Sequence, residues 1–266
     1  MTLRYEEFRD LHRPGAPLLL PNAWDHASAA AFAAAGFRAL GTTSLGVAAA
    51  AGLPDGSGAA RAETVRLALG LARLDTLVSV DIEGGFSDRP EEVADLVAEL
   101  AEAGVVGVNI EDGRADGTLR DVTHQCEILR AVCDAVSGRL FVNARTDTYW
   151  LRGAGEAGRT AARLEAYRRA GADGLFVPGL RDLTVVAELA TGFDAPLNVL
   201  HAPDGPAFAE LADAGAGRVS CGSLPFRAAL RGAVAAVEAV ARGAAAAPDV
   251  PSYDEVQALS DHFAQS

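Results

Sequence analysis

The chain has 266 residues, half of them hydrophobic, which fits one large α/β barrel or two smaller domains with a substantial core. Its 36 Asp and Glu against 23 Lys and Arg give a formal net charge of −13, and no basic run interrupts this composition. The charge argues against nucleic acid and anionic membranes as partners. Three cysteines and an N-terminus without a signal-peptide pattern favour a cytoplasmic protein, and no apolar run is long enough to span a membrane.

Short apolar runs alternate with helical stretches eight times along the chain. Ala-Gly pairs at positions 35–36, 103–104, 170–171 and 214–215 separate a helix from the next strand, where glycine fits a helix C-cap. The predicted strands cover residues 17–20, 39–44, 77–82, 107–111, 140–144, 174–177, 196–200 and 218–222. The predicted helices cover residues 27–35, 62–74, 90–103, 122–136, 156–170, 183–190, 205–214 and 225–242.

Eight strand–helix units without a linker between halves predict an α/β fold, a (β/α)8 TIM-type barrel that covers residues 1–266 as one domain. A doubly wound open sheet is the alternative. Residues from about 225 to 266 are expected to form a C-terminal helical extension. Within it, 244–251 is a predicted linker and 253–264 a last short helix that packs on a neighbouring subunit. A Gly- and Ala-rich segment, 45–56, is a predicted loop.

An acidic pair follows the most apolar of the predicted strands. Asp81 and Glu83 are two residues apart, so on a strand both side chains point to the same face, and Gly84 and Gly85 then allow a sharp turn. Two carboxylates at the end of a buried strand repel each other and are costly to desolvate. A divalent cation or a bound proton offsets that cost, whereas two solvated acids at a strand end are the simpler alternative.

Polar residues collect after the predicted strands, whereas the helix-to-strand side carries mostly Ala-Gly turns. In a (β/α)8 barrel the catalytic groups lie at the carboxyl ends of the strands, so this asymmetry indicates an enzyme. The residues concerned are Asn22, Trp24, Asp25, Thr42, Thr43, Ser44, Asp55, Asp81, Glu83, Asn109, Glu111, Asp112, Asn143, Arg145, Thr146, Asp147, Asn198, His201 and Ser220.

The types of these residues suggest roles. Asp81, Glu83 and Glu111 supply the hard oxygen ligands that suit Mg²⁺ or Mn²⁺. Arg145 is suited to bidentate capture of a substrate carboxylate, or to an internal salt bridge with Glu111 or Asp147. A metal beside an anion pocket fits a 2-oxo acid, chelated through its keto and carboxylate oxygens, whose enolate the metal stabilises.

Further candidates surround that centre. Backbone amides of residues 43–46 are placed to hold an anionic oxygen. Asn198 and His201, at the end of the seventh strand, are expected to reach the substrate. Trp24 either forms a wall of the pocket or belongs to the core, and Asp25 is an alternative cap for the first helix of the barrel.

Four segments resemble the isocitrate lyase/phosphoenolpyruvate mutase superfamily. They are residues 42–56, Val80-Asp-Ile-Glu-Gly-Gly85, Asn109-Ile-Glu-Asp112 and Asn143-Ala-Arg-Thr-Asp147, in the family's order, within a resemblance that runs from about Leu18 to Arg242. The resemblance implies a (β/α)8 barrel whose last helix swaps between subunits, usually in a homotetramer. It also implies Mg²⁺, 2-oxo acids or their enolates as ligands, and the making or breaking of C–C or P–C bonds.

The resemblance also assigns residues. By motif, Asp81 is the direct metal ligand, Glu83 and Glu111 bind the metal largely through water, Arg145 holds the substrate carboxylate, and Asp55 matches an acid near the reacting centre of the mutases. The residues expected around the substrate are Trp24, Thr43, Ser44, Leu45 and Gly46.

Departures from the family pattern reduce the number of family reactions that this chain is expected to catalyse. Isocitrate and methylisocitrate lyases carry a Lys-Lys/Arg-Cys-Gly-His loop after the fourth strand, but residues 113–120 contain neither Cys nor His. Gly113 replaces a lysine of the mutases, and Glu83 stands where they have Asp. The segment 114–121, polar with glycine inside it and just before it, is a predicted mobile lid.

The sequence thus predicts an Mg²⁺-dependent lyase that forms or cleaves a C–C bond in a small 2-oxo or 2-hydroxy carboxylic acid through a metal-stabilised enolate. Three alternatives remain open at this stage. They are an oxaloacetate decarboxylase, a phosphoenolpyruvate mutase- or phosphonopyruvate hydrolase-like P–C enzyme, and a 2-oxo acid binder without catalysis.

Overall fold

Nine strand segments form one parallel sheet in the computed structural model, which describes residues 2–151, 157–244 and 250–264. Except for β1, where Leu19 is exposed, the strands are buried along most of their length, as expected where helices cover a parallel sheet. The strands are β1 Leu18–Leu20, β2 Asn22–Ala23, β3 Ala39–Thr42, β4 Leu77–Asp81, β5 Gly107–Glu111, β6 Phe141–Arg145, β7 Gly174–Val177, β8 Leu197–Leu200 and β9 Arg218–Ser220.

Helices follow the strands along the chain. Those described are α1 Leu3–Asp10, α2 His26–Ala34, α3 Ser44–Ala50, α4 Arg61–Leu71, α5 Pro90–Glu102, α6 Val122–Val136, α7 Ala157–Arg169, α8 Leu183–Gly192, α9 Phe208–Asp213, α10 Leu224–Ala241, α11 Tyr253–Ala258 and α12 Asp261–Ala264. None of these helices combines the length and the apolar character needed to span a membrane.

The sheet closes into a barrel through its first strand, which Pro21 divides into β1 and β2. β1 pairs with β9, and β2 pairs with β3. Proline has no N–H for the ladder, but its carbonyl still accepts a hydrogen bond from the Gly41 amide at 2.8 Å. The predicted (β/α)8 barrel is therefore confirmed, and the open doubly wound sheet is excluded.

Most element boundaries agree with the sequence pattern, and the exceptions have local causes. β5, β7 and α6 have the predicted bounds. The predicted loop 45–56 is wrong in its first half, because the alanine run after Gly46 forms α3 with Thr43 at the N-cap position. α9 begins at Phe208 rather than at residue 205. Its start is fixed by Glu210, whose carboxylate accepts a hydrogen bond from the amide of the N-cap residue Ala207. The predicted start of the fifth barrel helix at residue 156 lies outside the described residues.

An N-terminal helix that the sequence pattern did not indicate closes the amino end of the barrel. Phe8 of α1 is fully buried, and the His12 ring stacks on Phe141 at 4.5 Å. The Tyr5 hydroxyl donates a 2.7 Å hydrogen bond to Asp173. With this end plugged by aromatic side chains, access to the barrel interior is left to the carboxyl ends of the strands.

The C-terminal extension continues from α10. Within the described part, the Phe263 ring of α12 lies 5.2 Å from the ring of His26, so this last helix contacts its own chain. The middle of the predicted linker, 245–249, lies outside the described residues. One face of α10 exposes four large apolar side chains: Leu230, Val234, Val237 and Val240.

A buried carboxylate ties the ends of β5 and β6 to α7. Asp112 is fully buried, and its Oδ2 accepts hydrogen bonds from Thr146 Oγ1, Arg163 Nη1 and Tyr167 Oη at 2.7–3.0 Å. Its Oδ1 accepts from the Asp147 amide at 2.9 Å. Since every partner comes from another element, Asp112 fixes where the chain leaves β6.

Loss of this carboxylate leaves the buried Arg163 guanidinium without its partner. We expect Asp112→Ala to reduce the free energy of unfolding by about 3–5 kcal/mol, the usual cost of breaking a buried ion pair from one side. Chemical denaturation followed by circular dichroism measures the change. Asp116→Ala is the matched control, because Asp116 is exposed and bonds locally to Thr118. Equal denaturation midpoints for the two variants would contradict the assignment.

Candidate active site

A cavity of about 320 Å³ opens at the carboxyl ends of the strands. The sequence predicts the catalytic groups at this end of the barrel. The walls of the cavity come from the strand ends and the loops that follow them. Of the twelve residues to which the sequence assigns a metal, substrate or catalytic role, seven line the cavity: Thr43, Ser44, Leu45, Asp55, Asp81, Glu111 and Arg145.

Asp81 is the last residue of β4 and lies at the cavity floor, only 8% exposed. Its amide donates to Thr42 Oγ1 at 2.9 Å, which ties it to the end of β3. Its carboxylate accepts from the Ser44 amide at the start of α3 at 3.4 Å. The amides expected to form an anion nest at 43–46 are thus the first turn of a helix that faces Asp81.

Glu83 does not share a strand face with Asp81, so that expectation is wrong. The strand ends at Asp81, and Glu83 has a left-handed backbone with φ of 50°, which only a minority of non-glycine residues adopt. This turn sends Glu83 Oε2 to the Gly58 amide at 2.8 Å, in a hollow that adjoins the cavity. Its Oε1 is buried without a hydrogen-bond partner among the described residues. Burial raises the pKa of Glu83 to about 7.

Arg145 is held by two carboxylates. Its Nη1 lies 2.8 Å from Glu111 Oε2, and its Nε and Nη2 donate to the two oxygens of Asp147 at 2.6 and 3.2 Å. Burial opposes the charge of Arg145, but Glu111 and Asp147 outweigh it and raise its pKa. Burial also raises the pKa of Glu111. The internal salt bridges considered from the sequence are both present.

Asp55 reaches the cavity from the loop between α3 and α4. Burial raises the pKa of its carboxyl group, against a hydrogen bond with Ser44 that lowers it. Asp81 raises this pKa further because the two acids repel each other. A carboxyl group with a raised pKa beside an open cavity is suited to proton transfer.

Four predicted substrate-binding residues do not line the cavity. The Trp24 ring packs on Phe226 at 5.5 Å, and Gly46 lies beneath it, where a Cβ would be 2.7 Å from Trp24 Cβ. Asn198 is buried in the barrel and accepts from Ser220 Oγ at 3.1 Å. His201 follows β8 and is half-buried outside the lining. Asp25 caps α2, the alternative role considered for it.

Several lining residues escaped the sequence reasoning. Asp147 was noted only as a polar strand end and as a partner for Arg145, yet it holds that arginine bidentately. The sequence predicts no role for the apolar residues at or after the strand ends, because nothing in their type signals a cavity. The lining residues of this kind are Trp150, Leu151, Phe176, Pro178 and Leu200.

The segment after β5 forms a short hairpin over the cavity. Gly113 and Leu119 form an antiparallel bridge, and the Arg114 amide donates to the Thr118 carbonyl at 2.9 Å. A Cβ at Gly113 would lie 2.2 Å from Asp147 Oδ2. The position therefore has no room for a side chain while Asp147 binds Arg145. Whether the segment 114–121 moves as a lid stays a prediction.

The acidic groups have the chemistry to bind a hard cation, but they do not surround one. All the candidate ligands are carboxylate oxygens, and the unpartnered Glu83 Oε1 lacks a positive or donor group. Among the described residues, however, no three Asp, Glu, His or Cys side chains converge closely enough to hold one ion directly. The arrangement fits one direct ligand with the other acids acting through water.

Relatives of known sequence match over most of the chain. The profile of the phosphoenolpyruvate phosphomutase family matches residues 8–241. An uncharacterized protein of Mycobacterium tuberculosis is 45% identical over 254 residues, 94% of this chain and 95% of that protein. Probable 2-methylisocitrate lyase 1 of Corynebacterium glutamicum is 35% identical over 173 residues, 60% of this chain and 55% of that protein. An oxaloacetate decarboxylase of Pseudomonas entomophila is 31% identical over 203 residues, 71% of this chain and 68% of that protein.

Solved structures share the fold. A putative lyase/mutase from Burkholderia cenocepacia is 36% identical with a TM-score of 0.86, covering 97% of this chain and 95% of that chain. A phosphonopyruvate hydrolase in complex with oxalate and Mg²⁺ has a TM-score of 0.84 at 20% identity, with 98% and 95% covered, which shows the fold alone. The chain is therefore an enzyme of the phosphoenolpyruvate phosphomutase family, within the isocitrate lyase/phosphoenolpyruvate mutase superfamily.

Proposed function

We propose that the protein is an Mg²⁺-dependent lyase that forms or cleaves a C–C bond in a small 2-oxo or 2-hydroxy carboxylic acid. The observation that carries this proposal is the group of buried carboxylates, Asp81 and Glu111, beside Arg145, whose side chain is 13% exposed, at the carboxyl end of the barrel. Such a group binds a hard cation and a carboxylate side by side, as chelation of a 2-oxo acid requires.

The metal, Mg²⁺ or Mn²⁺, supplies a Lewis acid that polarises a substrate oxygen and stabilises the negative charge of an enolate. Asp81 is proposed as its direct ligand, and Glu83 and Glu111 as ligands through water. The fit rests on the oxygen-only donor set and on the unpartnered Glu83 Oε1.

Arg145 is proposed to bind the substrate carboxylate while it keeps its internal partners. Of its five N–H groups, Asp147 and Glu111 engage three, so two are left for an incoming carboxylate. The Ser44 side of the cavity supplies amide donors, and Asp55, with its raised pKa, is proposed to hold the proton that moves at the reacting carbon.

A decarboxylase is the second candidate, because an oxaloacetate decarboxylase is among the relatives. It uses the same enolate and differs only in the bond broken. P–C chemistry is less favoured, since Gly113 stands where the mutases carry lysine and Asp147 Oδ2 occupies the space for a side chain. A 2-oxo acid binder without catalysis is distinguished by binding without turnover.

Removal of the proposed direct ligand tests the function. The substrates are oxaloacetate, isocitrate, methylisocitrate, alkylmalates and phosphonopyruvate, each with Mg²⁺ and with EDTA, followed by proton NMR. We expect pyruvate or glyoxylate to form only with metal, and Asp81→Ala to lower the rate at least about 100-fold, as loss of an electrostatic catalytic group does. Asp10→Ala on α1, at the opposite end of the barrel, is the control. Unchanged turnover in Asp81→Ala would overturn the metal assignment.

Without metal, the acids of the site should make stability depend on pH. Burial, with a smaller contribution from Asp81, raises the pKa of Glu83 from 4.5 to about 7 in the folded protein. The folded state then binds this proton more tightly than the unfolded chain, so stability falls as pH rises from about 4.5 to 7. We expect Glu83→Gln in EDTA to raise the Tm at pH 8 and to change it little at pH 4.5. Thermal denaturation at the two pH values measures this, and equal shifts at both would contradict it.

We further propose a homotetramer in which the apolar face of α10 packs on a neighbouring subunit. Leu230, Val234 and Val237 recur at helical spacing and are each more than half exposed in the single chain. Val237→Glu is expected to shift the protein to a smaller assembly in light scattering coupled to size exclusion. Glu188→Lys on α8, an exposed charge change on another helix, is the control. A wild-type monomer would overturn this proposal.

A cytoplasmic location is proposed because the three cysteines, Cys126, Cys133 and Cys221, are all free. Free cysteines persist in a reducing compartment, whereas secreted proteins usually pair them.

A further inference from the structure

The candidate active-site cavity has two chemically different sides. The carboxyl groups of Asp55, Asp81 and Glu111 occupy the side built from β3 to β5. On the facing side, beyond Arg145 and Asp147 at the end of β6, five apolar residues of β7, β8 and the adjoining loops line the cavity. We call this group the apolar wall, and it consists of Trp150, Leu151, Phe176, Pro178 and Leu200.

Backbone contacts hold the turn that carries Trp150 of the apolar wall in place. The Trp150 amide donates to the Asp147 carbonyl at 3.0 Å, so the turn that carries Trp150 is attached to the residue that binds Arg145. Gly179 has φ of 81°, and a Cβ there would lie 2.7 Å from the Tyr149 carbonyl oxygen. Only glycine lets this loop support the turn so closely.

Aromatic rings of the apolar wall adjoin the proposed carboxylate-binding group. The Arg145 guanidinium carbon lies 5.9 Å from the Trp150 ring centre and 5.6 Å from that of Phe176. A carboxylate bound to Arg145 therefore has both rings next to it. Trp150 is 55% exposed, so its apolar surface is available to whatever group the substrate places there.

No cation belongs to the apolar wall among the described residues. Four carboxyl groups and two guanidinium groups line the cavity in the described part of the chain: Asp55, Asp81, Glu111, Asp147, Arg114 and Arg145. Arg145 contacts Asp147 and Glu111. Arg114 follows β5, on the side of the acids, and its guanidinium lies 3.7 Å from Asp88. At the apolar wall, an additional substrate carboxylate would be desolvated without a compensating partner among the described residues.

We propose that the substrate carries an uncharged, apolar substituent, alkyl or aryl, which packs on the apolar wall where many 2-oxo acids carry a further carboxylate. Trp150 and Phe176 are then the residues that determine specificity. The proposal rests on the proposed function for its metal and carboxylate contacts, and it adds the chemical class of the remaining part of the substrate.

Binding of three 2-oxo acids separates this proposal from the proposed function. Isothermal titration in Mg²⁺ uses pyruvate, 4-methyl-2-oxopentanoate and 2-oxoglutarate, of which the last two are similar in size and differ in charge. We expect 4-methyl-2-oxopentanoate to bind at least about tenfold more tightly than pyruvate, since each buried methylene contributes about fourfold. We expect 2-oxoglutarate to bind more weakly than pyruvate.

Each other outcome has one meaning. If pyruvate binds with Mg²⁺ and 2-oxoglutarate binds most tightly, or if the branched acid gains nothing over pyruvate, the apolar substituent is wrong while the metal site stands. If none of the three acids binds in an Mg²⁺-dependent manner, the proposed function itself fails.

Variants test the wall directly. Trp150→Ala is expected to remove most of the preference for 4-methyl-2-oxopentanoate over pyruvate, with pyruvate binding changed less than about threefold. Tyr253→Ala on α11 is the control, because it removes another highly exposed aromatic ring outside the cavity lining. Leu200→Lys is expected to reverse the order and favour 2-oxoglutarate. A Trp150→Ala variant that weakens all three acids equally would overturn its role in specificity.

Discussion

The concentration of buried carboxylates around one arginine is the constraint on which the rest of the site depends. Asp81, Glu111 and Asp147 lie at the ends of adjacent or nearly adjacent strands, and Arg145 is the cation between the last two. Moving an ion out of water costs several kcal/mol even after relaxation, so a set of acids with fewer cations strains the fold. The raised pKa values of Glu111 and Asp147, caused mainly by burial, show how this strain is expressed. Under the proposed function a bound cation would relieve this strain, so the same acids would lower the stability of the metal-free protein and provide its affinity for metal.

Charged groups outside the cavity partly compensate for the buried acids. Arg218 of β9 is fully buried and donates to Ser220 Oγ at 3.0 Å and to Asn109 Oδ1 at 3.3 Å, two neutral groups. Burial lowers its pKa to about 9, and the negative charge of Asp81 works in the opposite direction. The guanidinium therefore offsets part of the acidic charge from within the barrel. Behind the site, the buried charge of Asp112 is compensated by Arg163 and by a hydrogen bond from Tyr167.

Much of this could be predicted from the sequence, because the barrel repeats one signal eight times. The strand ends that carry Asp81, Glu111 and Arg145 follow clear apolar runs, so topology alone brings these residues together. Glu83 could not be placed in the same way, since its position depends on a left-handed backbone turn that a strand pattern does not reveal. His201 also follows a strand, yet its exit from β8 directs it away from the cavity lining. β8 ends at Leu200 as predicted, and β4 ends at Asp81, one residue before the predicted end. The path of the chain after the strand therefore decides both placements.

Asp147 connects the charge balance to the choice of reaction. Its carboxylate binds Arg145 through two oxygens, and Oδ2 occupies the space that a side chain at position 113 would need. A lysine after Glu111 and Asp112 would have to displace Asp147, which would take one partner from Arg145 and add a cation to the mouth of the cavity. With glycine there, the hairpin lies close to Asp147, and Arg145 keeps both Asp147 and Glu111 as partners. Under the proposed function, the site keeps its acids and Arg145 for enolate chemistry and has glycine where the P–C enzymes carry lysine. The missing lysine and the proposed role of the apolar wall then act together, since both would reduce the number of charged groups that a substrate can carry into this cavity.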